Sequence, residues 1–400
     1  MIVARGDDCQ QSRAVPVSHQ KLSGTIWVAA NTTWYIYNSR RRLIETLLDL
    51  GYKVVLFSPS DVYVKHFKEA GVGHVQLPID GAGTNPLREF ATLLHMYGTF
   101  RRERPQLLLT FTPKVNVYGA IAARILRIPT IANVSGLGRA FVAGGWIEFV
   151  ARRLYRVALK KTHTVFFQNE EDRMLFVEAG LVDPLKTRRL PGSGVDLDRF
   201  RPTSRIGGTE RFVFLLAGRL LWEKGVGQFV EAARLIKPEF PHTEFRIVGF
   251  LEVQNPSAIS RAQIEEWEER GVIHYHGATD DIRAHIGAAD CVVLPTYYRE
   301  GVPRMLLEAA SMAVPIITTN VAGCRDAVED GVTGFLAKPR DARDLADKMR
   351  RALRLSPEQK EAMGRRGRDK MCQEFDEGIV IDHYIHAIQE IGPGPSPQIT

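Results

Sequence analysis

The chain has 400 residues, of which 44% are hydrophobic and 25% are charged. These are the proportions of an ordinary globular protein, and they exclude a disordered chain. The length predicts two domains, each large enough to bury a core of its own. The formal net charge of +7 favours phosphate-bearing partners, although nucleic acid, anionic lipid and nucleotide all fit it.

The sequence shows no targeting or membrane-spanning signal. No stretch approaches the roughly 18 to 20 consecutive apolar residues that a spanning helix needs, and the N-terminal segment lacks the apolar core of a signal peptide. We therefore expect the protein to stay in the cytosol. The four cysteines lie far apart, with no CxxC and no histidine at ligand spacing, so no zinc site is indicated.

Short β-branched runs alternate with longer amphipathic stretches from residue 25 onward, which is the pattern of βα units around a parallel sheet. The predicted strands of the first half cover 25–30, 53–58, 107–111, 129–134 and 164–168, and those of the second half cover 212–218, 244–249, 272–277, 291–295 and 315–319. Their nearly continuous apolar character predicts strands covered on both faces. The expected fold is α/β, with two Rossmann-like, doubly wound parallel-sheet domains that face each other across a cleft.

A segment rich in glycine, proline and charge separates the two sets of strands and places the domain boundary at about residue 200. The predicted organisation is a flexible arm at 1–21, a first domain at 22–200, a second domain at 201–375, a last helix at 376–390 that packs back on the first domain, and a flexible tail at 391–400. Ligands of such sheets bind beyond the carboxyl ends of the strands, so we expect the functional residues in the loops there.

Two glutamates follow the predicted strand 291–295. Glu300 and Glu308 are eight residues apart, close to two helical turns, so they share roughly one face, and Gly301 lies in the turn before the helix. Unpaired backbone N–H groups at the start of that helix would bind a phosphate, and Glu308 could accept hydrogen bonds from a sugar diol. A pair of glutamates on a solvated helix face is the alternative.

Two cations follow the predicted strand 212–218. Arg219 and Lys224 lie five residues apart in one loop. This arrangement suits a diphosphate, because arginine binds it bidentately and lysine adds a point charge. The same cations would neutralise a departing nucleoside diphosphate. Solvent-exposed loop residues without a ligand are the alternative.

Three segments follow one another in the second half: GRLLWEKG, HYHGATDDI and CVVLPTYYREGVPRMLLEAASMAVP. In order and spacing they resemble the family 4 glycosyltransferases, which are retaining enzymes of the GT-B fold, through the two glutamates with seven residues between them. The first half contains NTTWYIYNSRRRLIETLLDLGYKVVLFSP and TFTPKVNVYGAIAARILRIPTIANVSGLGRAF. These segments are similar to bacterial enzymes that build capsule or O-antigen oligosaccharides on polyprenyl diphosphate.

The resemblance implies a nucleotide-sugar donor site in the second domain. It implies that Glu308 binds the ribose hydroxyls. It also implies that Glu300 is the catalytic residue and orients the transferred sugar. The implied donor-binding residues are Arg219, Lys224, Gly301, Val302 and Glu308. The two cations would hold the diphosphate, and the backbone of Gly301 and Val302 would reach the phosphates. Pro303 stands where many relatives have glycine. One backbone donor is therefore absent unless Arg304 or Met305 substitutes.

The resemblance also implies transfer with retention at the anomeric carbon, in which the departing phosphate oxygen takes the proton of the acceptor. A second carboxylate at glycosidase spacing is not apparent, so Glu300 is expected to position the sugar and stabilise charge rather than to act as a nucleophile. No acidic metal-binding pair stands out, since Asp280 and Asp281 are expected to cap the helix that follows. We expect neither a metal ion nor another cofactor.

Polar residues after the strands of the first domain are candidates for recognising the acceptor. Lys114 and Arg139 supply cations, and Gly136 allows close approach of the backbone. The Gly-rich first loop of many relatives is replaced here by a segment that begins at Asn31. The candidate acceptor-binding residues are Asn31, Lys114, Asn116, Gly136 and Arg139, with ordinary turn chemistry as the alternative.

The predicted helix 146–161 is amphipathic and basic. Its apolar face consists of Trp146, Ile147, Val150, Leu154, Val157 and Ala158, and its opposite face carries Arg152, Arg153, Arg156 and Lys160. Such a helix either covers the sheet or docks on the anionic cytoplasmic leaflet. In the second case Trp146 and the four cations would contact the membrane.

The charge is divided unequally between the halves: residues 1–200 have a net charge of +10 and residues 201–400 have a net charge of −3. We therefore expect a retaining glycosyltransferase that moves a hexose or N-acetylhexosamine from a nucleotide sugar, UDP being favoured, to a polyprenyl-diphosphate-linked glycan in bacterial surface polysaccharide synthesis. It would be cytoplasmic and peripheral on the inner face of the plasma membrane. The alternatives are a transferase for a soluble acceptor, a UDP-sugar epimerase and a nucleic-acid-binding protein. Only the basic isoelectric point suggests a nucleic-acid-binding protein. The sequence shows no basic residues interleaved with aromatic residues on which bases could stack, so no nucleic acid partner is expected.

Overall fold

The computed structural model describes residues 24–81, 83, 85–136, 141, 144–203, 211–251 and 255–392. The arm expected at 1–21, the acceptor candidate Arg139 and residues 393–400 of the expected tail lie outside this part of the chain. Within it, no helix combines the length and the apolar character that crossing a membrane requires.

Seven parallel strands form the sheet of the first domain, in the order β3-β2-β1-β4-β5-β6-β7. Their bounds are β1 (Thr25–Ala29), β2 (Lys53–Ser58), β3 (Gly73–Gln76), β4 (Leu107–Thr110), β5 (Thr130–Val134), β6 (Thr164–Phe167) and β7 (Thr187–Arg189). Ile26 and Val28 of β1 face one hydrophobic core, and Trp27 and Ala29 face another. The sheet is therefore covered on both faces, which explains its continuous apolar runs.

Six parallel strands form the second sheet, in the order β10-β9-β8-β11-β12-β13. Their bounds are β8 (Phe212–Ala217), β9 (Thr243–Val248), β10 (His274–Tyr275), β11 (Cys291–Leu294), β12 (Ile316–Thr319) and β13 (Gly334–Ala337). The strand order reverses between β1 and β4 and between β8 and β11. The loops after these strands therefore border a crevice at their carboxyl ends.

All ten predicted strands are present, so the expected doubly wound α/β fold is confirmed. Three further strands, β3, β7 and β13, lie at sheet edges. The sequences of β3 and β7, GHVQ and TRR, lack the continuous apolar run that marks an interior strand, and the sequence of β13, GFLA, is apolar but only four residues long. The last strand of the first sheet ends at Arg189, and the first strand of the second sheet begins at Phe212. The expected domain boundary near residue 200 falls in this connection.

Helices connect the strands and cover the sheets. Those of the first domain are α1 (Thr33–Asp49), α2 (Val64–Glu69), α3 (Pro86–Glu103), α4 (Pro113–Ile125), α5 (Gly145–Leu159) and α6 (Glu170–Glu178). Those that follow are α7 (Val226–Ile236), α8 (Arg261–Glu269), α9 (Arg283–Gly287), α10 (Arg304–Ser311), α11 (Cys324–Ala327), α12 (Ala342–Leu353), α13 (Pro357–Glu374) and α14 (Glu377–Ile391). The 3-10 turns are Pro184–Lys186 and Trp222–Lys224. Helix α14 packs on the first domain, where Val380, Tyr384 and Ile388 join the core beneath α1.

Candidate functional site

The loops after β8 and β11 meet at the carboxyl edge of the second sheet, because these two strands are neighbours. The first loop carries Lys224 at the end of a 3-10 turn, and the second carries Glu300. Lys224 Nζ donates to both carboxylate oxygens of Glu300, at 2.7 and 2.5 Å. The fold thus joins two charges that lie 76 residues apart in the sequence.

This ion pair is partly buried, with 14% of the Lys224 side chain and 18% of the Glu300 side chain exposed. The hydroxyl of Thr296 lies 3.1 Å from Glu300 Oε1 and 3.0 Å from the carbonyl oxygen of Glu223. Because little solvent screens the pair, its Coulomb interaction is stronger than that of a surface pair. One cation and one carboxylate face the same space, which can hold an anionic group beside a hydroxylated one.

Arg219 lies two residues after the end of β8 and is exposed. No hydrogen bond or ion pair with another described residue engages its guanidinium, so the side chain is available to an anion near Lys224. A guanidinium binds a phosphate through two parallel hydrogen bonds. In the described ranges, no group of three or more His, Cys, Asp or Glu side chains is placed to hold a metal ion.

Glu308 lies on α10, one turn after Arg304. Arg304 Nη2 donates to Glu308 Oε1 at 2.9 Å, and Arg304 Nη1 donates to the hydroxyl of Ser39 on α1 at 3.1 Å. Only 13% of the Glu308 side chain is exposed. Each glutamate therefore faces a cation rather than forming a solvated helix face. The helix begins at Arg304, so Glu300 precedes it, as the sequence predicts, but the expectation that both glutamates share one helix face is wrong.

The backbone of Gly301 and Val302 is predicted to reach the donor phosphates. In the structure the Gly301 N–H instead donates to the carbonyl oxygen of Ser135, in the first domain, at 3.1 Å. The Val302 side chain is 4% exposed and belongs to the core of the second domain. The first domain thus approaches the loop and engages the N–H of Gly301, and binding of this N–H to a donor phosphate stays a prediction.

The first domain also contacts the two residues before Gly301. Asn169, the N-cap of α6, donates from Nδ2 to the carbonyl oxygen of Glu300 at 3.4 Å. Arg299 Nε donates to Asp172 Oδ1 at 2.7 Å. No motif points to Asn169, Asp172 or Arg299. The sequence does contain a signal for Asn169 and Asp172. An asparagine just after a strand, with acidic residues in the next turn, is typical of a helix N-terminus.

A second contact crosses the cleft. Tyr63 Oη, from the loop after β2, donates to Asp280 Oδ1, from the loop after β10, at 2.7 Å. Burial and the Asp280 carboxylate raise the pKa of Tyr63 to about 12, so the phenol keeps its proton at neutral pH. Asp281 accepts from the backbone N–H of Arg283 in the first turn of α9, at 3.1 Å. The expectation that both aspartates cap this helix is wrong for Asp280, which bridges the domains instead.

Two acceptor candidates of the first domain are held by other protein groups. Lys114 Nζ donates to the carbonyl oxygens of Asp80 and Gly83, both at 2.6 Å, and to Glu89 Oε1 at 2.5 Å. Its donors therefore hold the segment before α3. Asn116 is 1% exposed and donates to a backbone carbonyl of β5 at 2.7 Å. The expectation that Asn116 faces the cleft is wrong, because the first turn of α4 directs its side chain onto the sheet.

The other two described candidates border the cleft. Asn31 follows β1 and is half-buried, with its amide beside Gly81. Gly136 has a φ of 134°, where side chains are disfavoured. A Cβ at Gly136 would lie 3.0 Å from the nitrogen of Gly301 and 3.1 Å from Cα of Glu300. The close approach that Gly136 permits is thus to the loop that carries Glu300.

Helix α5 exposes part of its expected sheet-facing side. Trp146 is 75% exposed and Ile147 is 57% exposed. Tyr155 stacks edge-on against Phe141 and Phe176, which determines the rotation of the helix. The residues that α5 buries are Ala151, Tyr155, Ala158 and Leu159. The expectation that Trp146 and Ile147 cover the sheet is therefore wrong, because the first turn of α5 extends beyond the contact between this helix and the rest of the domain.

Two of the four cations on this segment are engaged within the domain. Arg152 pairs with Glu148 at 2.7 Å, and Arg156 donates to two backbone carbonyls at the end of α6. Arg153 and Lys160 remain exposed. Arg153 lies over the ring of Phe149, 5.1 Å from its centroid, and neither of these two cations forms an ion pair with a described residue.

Both halves of the chain match glycosyltransferase family models. Residues 200–370 match the model of the glycosyl transferases group 1, and residues 38–192 match the glycosyl transferase 4-like domain. The chain is 27% identical over 366 residues to the N,N'-diacetylbacillosaminyl-diphospho-undecaprenol alpha-1,3-N-acetylgalactosaminyltransferase of Campylobacter jejuni. This match covers 88% of this chain and 94% of that protein. It is 29% identical over 267 residues to the UDP-Gal:alpha-D-GlcNAc-diphosphoundecaprenol alpha-1,3-galactosyltransferase of Escherichia coli, which covers 64% and 68%.

Solved structures share the arrangement of both domains. HepE of Anabaena, in complex with UDP and glucose, superimposes with a TM-score of 0.74 at 16% identity, over 92% of this chain and 100% of that chain. Sucrose-phosphate synthase of Thermosynechococcus elongatus superimposes with a TM-score of 0.75 at 18% identity, over 92% and 99%. Two facing parallel sheets, the paired motif residues and these matches agree with the resemblance seen in the sequence. The chain belongs to the family 4 glycosyltransferases and has the GT-B fold.

Proposed function

We propose that this protein is a retaining glycosyltransferase that moves a hexose or an N-acetylhexosamine from a UDP-sugar to a polyprenyl-diphosphate-linked glycan. The observation that carries the proposal is the meeting of Lys224 and Glu300 at the carboxyl edge of the second sheet. Arg219 follows a strand at the same edge, and Glu308 lies on the helix after Glu300. Cations for a diphosphate and carboxylates for hydroxyl groups thus face one cleft.

Donor binding exchanges the partner of Lys224. The diphosphate takes the ammonium group, with Arg219 as second cation, and the freed Glu300 carboxylate accepts from hydroxyls of the transferred sugar. Glu308 accepts from the ribose. The bond between the anomeric carbon and the phosphate oxygen then breaks, and the acceptor oxygen bonds to the same face of that carbon. The acceptor's proton passes to the departing phosphate oxygen, and the two cations stabilise the charge that gathers on UDP.

The names of two relatives support the donor and acceptor classes. Both enzymes are named for sugars linked to undecaprenyl diphosphate, and one is named for a UDP-sugar. Both are also named for α linkages, which agrees with retention from an α-linked UDP-sugar. We extend these classes to this chain, because the first of the two matches it over most of both lengths.

A lipid-linked acceptor brings the enzyme to a bilayer, and we place the contact on α3 and α5. Besides Trp146 and Ile147, α5 exposes Phe149 at 47%. The exposed apolar residues of α3 are Leu87 at 79%, Phe90 at 58% and Leu94 at 53%. Their spacing of three and four residues puts them on one face. Helix α4 lies between α3 and α5 and packs against both, so the two faces belong to one side of the domain.

The charge of this half favours an anionic bilayer as the occupant of that surface. Residues 1–200 have a net charge of +10, and Arg153 and Lys160 are exposed on the same segment as Trp146. Each basic residue near an anionic surface contributes on the order of 1 kcal/mol before screening. The helices begin at the carboxyl edge of their sheet, so this surface borders the cleft in which the acceptor would react.

The test is a transfer assay with defined acceptors. Thermal stabilisation by a panel of UDP-hexoses and UDP-N-acetylhexosamines first identifies the donor. That donor is then offered with polyprenyl-diphosphate-linked N-acetylhexosamine in detergent, or with the free N-acetylhexosamine. Mass spectrometry and NMR of the product should show one added α-linked sugar on the lipid-linked acceptor. Equal transfer to the free sugar would indicate a soluble acceptor, and a β-linked product would contradict retention.

A matched pair of variants links the reaction to the site. Glu308→Gln removes the charged acceptor of the ribose hydroxyls and should lower transfer by about 100-fold, since several kcal/mol of charge-assisted hydrogen bonding is lost. Arg234→Ala removes half of an exposed ion pair on α7 and should leave transfer unchanged. Full transfer by Glu308→Gln would remove this residue from the donor site.

A further inference from the structure

We propose that Asp172 is a positioning residue that couples closure of the cleft to the placement of Glu300. The proposal rests on the function given above and concerns residues outside the donor site. Its basis is that three first-domain groups hold three consecutive residues of the loop between β11 and α10. The held residues are Arg299, Glu300 and Gly301.

The three contacts use different atoms of the loop. The Arg299 guanidinium donates to Asp172 at 2.7 Å, the Glu300 carbonyl accepts from Asn169 at 3.4 Å, and the Gly301 N–H donates to Ser135 at 3.1 Å. A side chain, a carbonyl and an amide are thus bound in succession. Because both sides of the backbone are held, Glu300 cannot shift without breaking a contact to the first domain.

Asp172 is a fixed anchor for this loop. Its side chain is 1% exposed, whereas the Arg299 side chain is 33% exposed. The Asp172 N–H donates to Asn169 Oδ1 at 2.8 Å, and Asn169 Nδ2 donates to Asp172 Oδ2 at 3.0 Å. The first turn of α6 therefore holds the carboxylate in one place. A buried carboxylate needs such partners, because an unpaired charge in the interior is costly.

The consequence concerns when Glu300 is in place. Asp172, Asn169 and Ser135 all belong to the first domain, where the acceptor is expected, while Glu300 and Lys224 belong to the donor half. Opening the cleft breaks the three contacts together and releases the loop. The loop that carries Glu300 is therefore held in place only when the two domains are closed. Such coupling limits donor cleavage without an acceptor, since closure completes the reacting site.

Glu171 provides a matched control on the same helix. Its carboxylate lies 3.9 Å from Arg299 and 3.2 Å from Arg325, and 48% of the side chain is exposed. It is an acidic residue beside Asp172 that faces the same arginine. Because solvent screens these exposed ion pairs, Glu171 should contribute little.

The experiment compares Asp172→Asn, Arg299→Gln, the double variant and Glu171→Gln in the full chain. Asp172→Asn and Arg299→Gln should each lower kcat for transfer about 10- to 100-fold, the usual result of misplacing a reacting group. UDP affinity by calorimetry should stay within about threefold, because neither residue touches the diphosphate. The double variant should be no slower than the slower single variant, since the two residues act as one unit. Glu171→Gln should match the wild type.

Amide hydrogen exchange of segment 297–302 supplies a readout that does not depend on turnover. We expect exchange about tenfold faster in Asp172→Asn than in Glu171→Gln, as local opening becomes easier. Wild-type protein that transfers no sugar would refute the proposed function, and the exchange comparison would still decide this inference. Equal exchange in those two variants, wild-type kcat in Asp172→Asn, or additive losses in the double variant would each overturn it. The double variant, which buries no unpaired charge, keeps the test valid if a single variant is unstable.

Discussion

At the scale of single residues, the pair formed by Lys224 and Glu300 explains how one site serves an anion and a sugar. Without a donor, each charge is neutralised by the other at 2.5 to 2.7 Å. In the proposed reaction, the donor diphosphate competes for the ammonium group and thereby leaves the carboxylate to the sugar. Lys224 and Glu300 are expected to take different roles only when the donor is bound. Replacing one should therefore have a different effect on donor binding and transfer from replacing the other.

Lys224→Ala should weaken binding of UDP about tenfold, because one charge-assisted contact of about 1.5 to 3 kcal/mol is lost and Arg219 remains. Glu300→Gln should bind UDP about as well as the wild type and lower kcat about 100- to 1000-fold, since it removes charge stabilisation from the transition state. Calorimetry with UDP and the transfer assay separate the two effects. Weaker UDP binding by both variants to the same extent would contradict this division.

A chelator should leave transfer unchanged. In the proposed donor site, Arg219 and Lys224 would supply the positive charge that a metal ion would otherwise bring to the diphosphate. The measurement is the initial rate with and without EDTA, after dialysis of the protein against the chelator. Loss of activity that added Mg²⁺ restores would show that the two cations are not sufficient.

At the scale of elements, the loop between β11 and α10 has no room for a side chain at Gly301. A Cβ there would lie 2.8 Å from the carbonyl oxygen of Ser135, and it would also overlap the Gln168 side chain. The backbone carbonyl belongs to the first domain and cannot rotate away. Closure of the cleft therefore depends on the absence of this one atom.

Gly301→Ala should lower kcat about 10- to 100-fold while UDP affinity stays close to that of the wild type, because it separates the domains and leaves Lys224 in place. Gly98→Ala is the control, since nothing lies within 4 Å of a Cβ at this position in α3. That control should be neutral or slightly stabilising. A fully active Gly301→Ala enzyme would mean that the contact with Ser135 is not used in turnover.

Helix α14 is attached to the first domain through Tyr384. Its side chain is buried among Phe111 and Phe166, and the amide of Asn133 donates to its hydroxyl at 2.6 Å. Tyr384→Phe leaves that amide buried without a partner, which should lower the free energy of unfolding by about 1 to 3 kcal/mol. Chemical denaturation measures it. Tyr63→Phe, which removes an exposed hydroxyl from its bond to Asp280, should cost clearly less.

At the scale of the whole molecule, charge and exposed apolar surface are concentrated in the first domain. The exposed apolar residues of α3 and α5 lie on the half with a net charge of +10, opposite in sign to the donor half. We expect such a distribution to orient the molecule at an anionic surface, with its cleft beside the bilayer. The orientation would matter because the proposed acceptor is anchored in the membrane.

Phe90→Ser combined with Trp146→Ser should reduce flotation with phosphatidylglycerol vesicles at least about tenfold, since burying each large apolar side chain contributes about 1.5 to 3 kcal/mol. Binding to phosphatidylcholine vesicles should be weak for all proteins, and added salt should weaken binding to phosphatidylglycerol. Trp222→Ser, at a 41% exposed tryptophan of the second domain, is the control. Equal flotation of the double variant and the control would exclude this surface.

Local pattern was sufficient to predict the interior strands. Strands such as β1 and β11 are buried on both faces, so each is marked by its own apolar run. The edge strand β7, with the sequence TRR, has no such mark, because only its neighbour in the sheet makes it a strand. Likewise, the rotation of α5 follows from the packing of Tyr155 on Phe176, which helical periodicity alone does not contain.

The sequence by itself determined the two-sheet α/β fold and the family, and it selected Arg219, Lys224, Glu300 and Glu308 as candidates for the donor site, because these features depend on short-range periodicity and on motif spacing. Only the tertiary structure decided which groups meet across the cleft. The contacts of Asp172 with Arg299 and of Tyr63 with Asp280 join residues 127 and 217 positions apart. Nothing in either local segment encodes its partner. The pairing arises from the docking of two separately folded sheets, and that docking places Glu300.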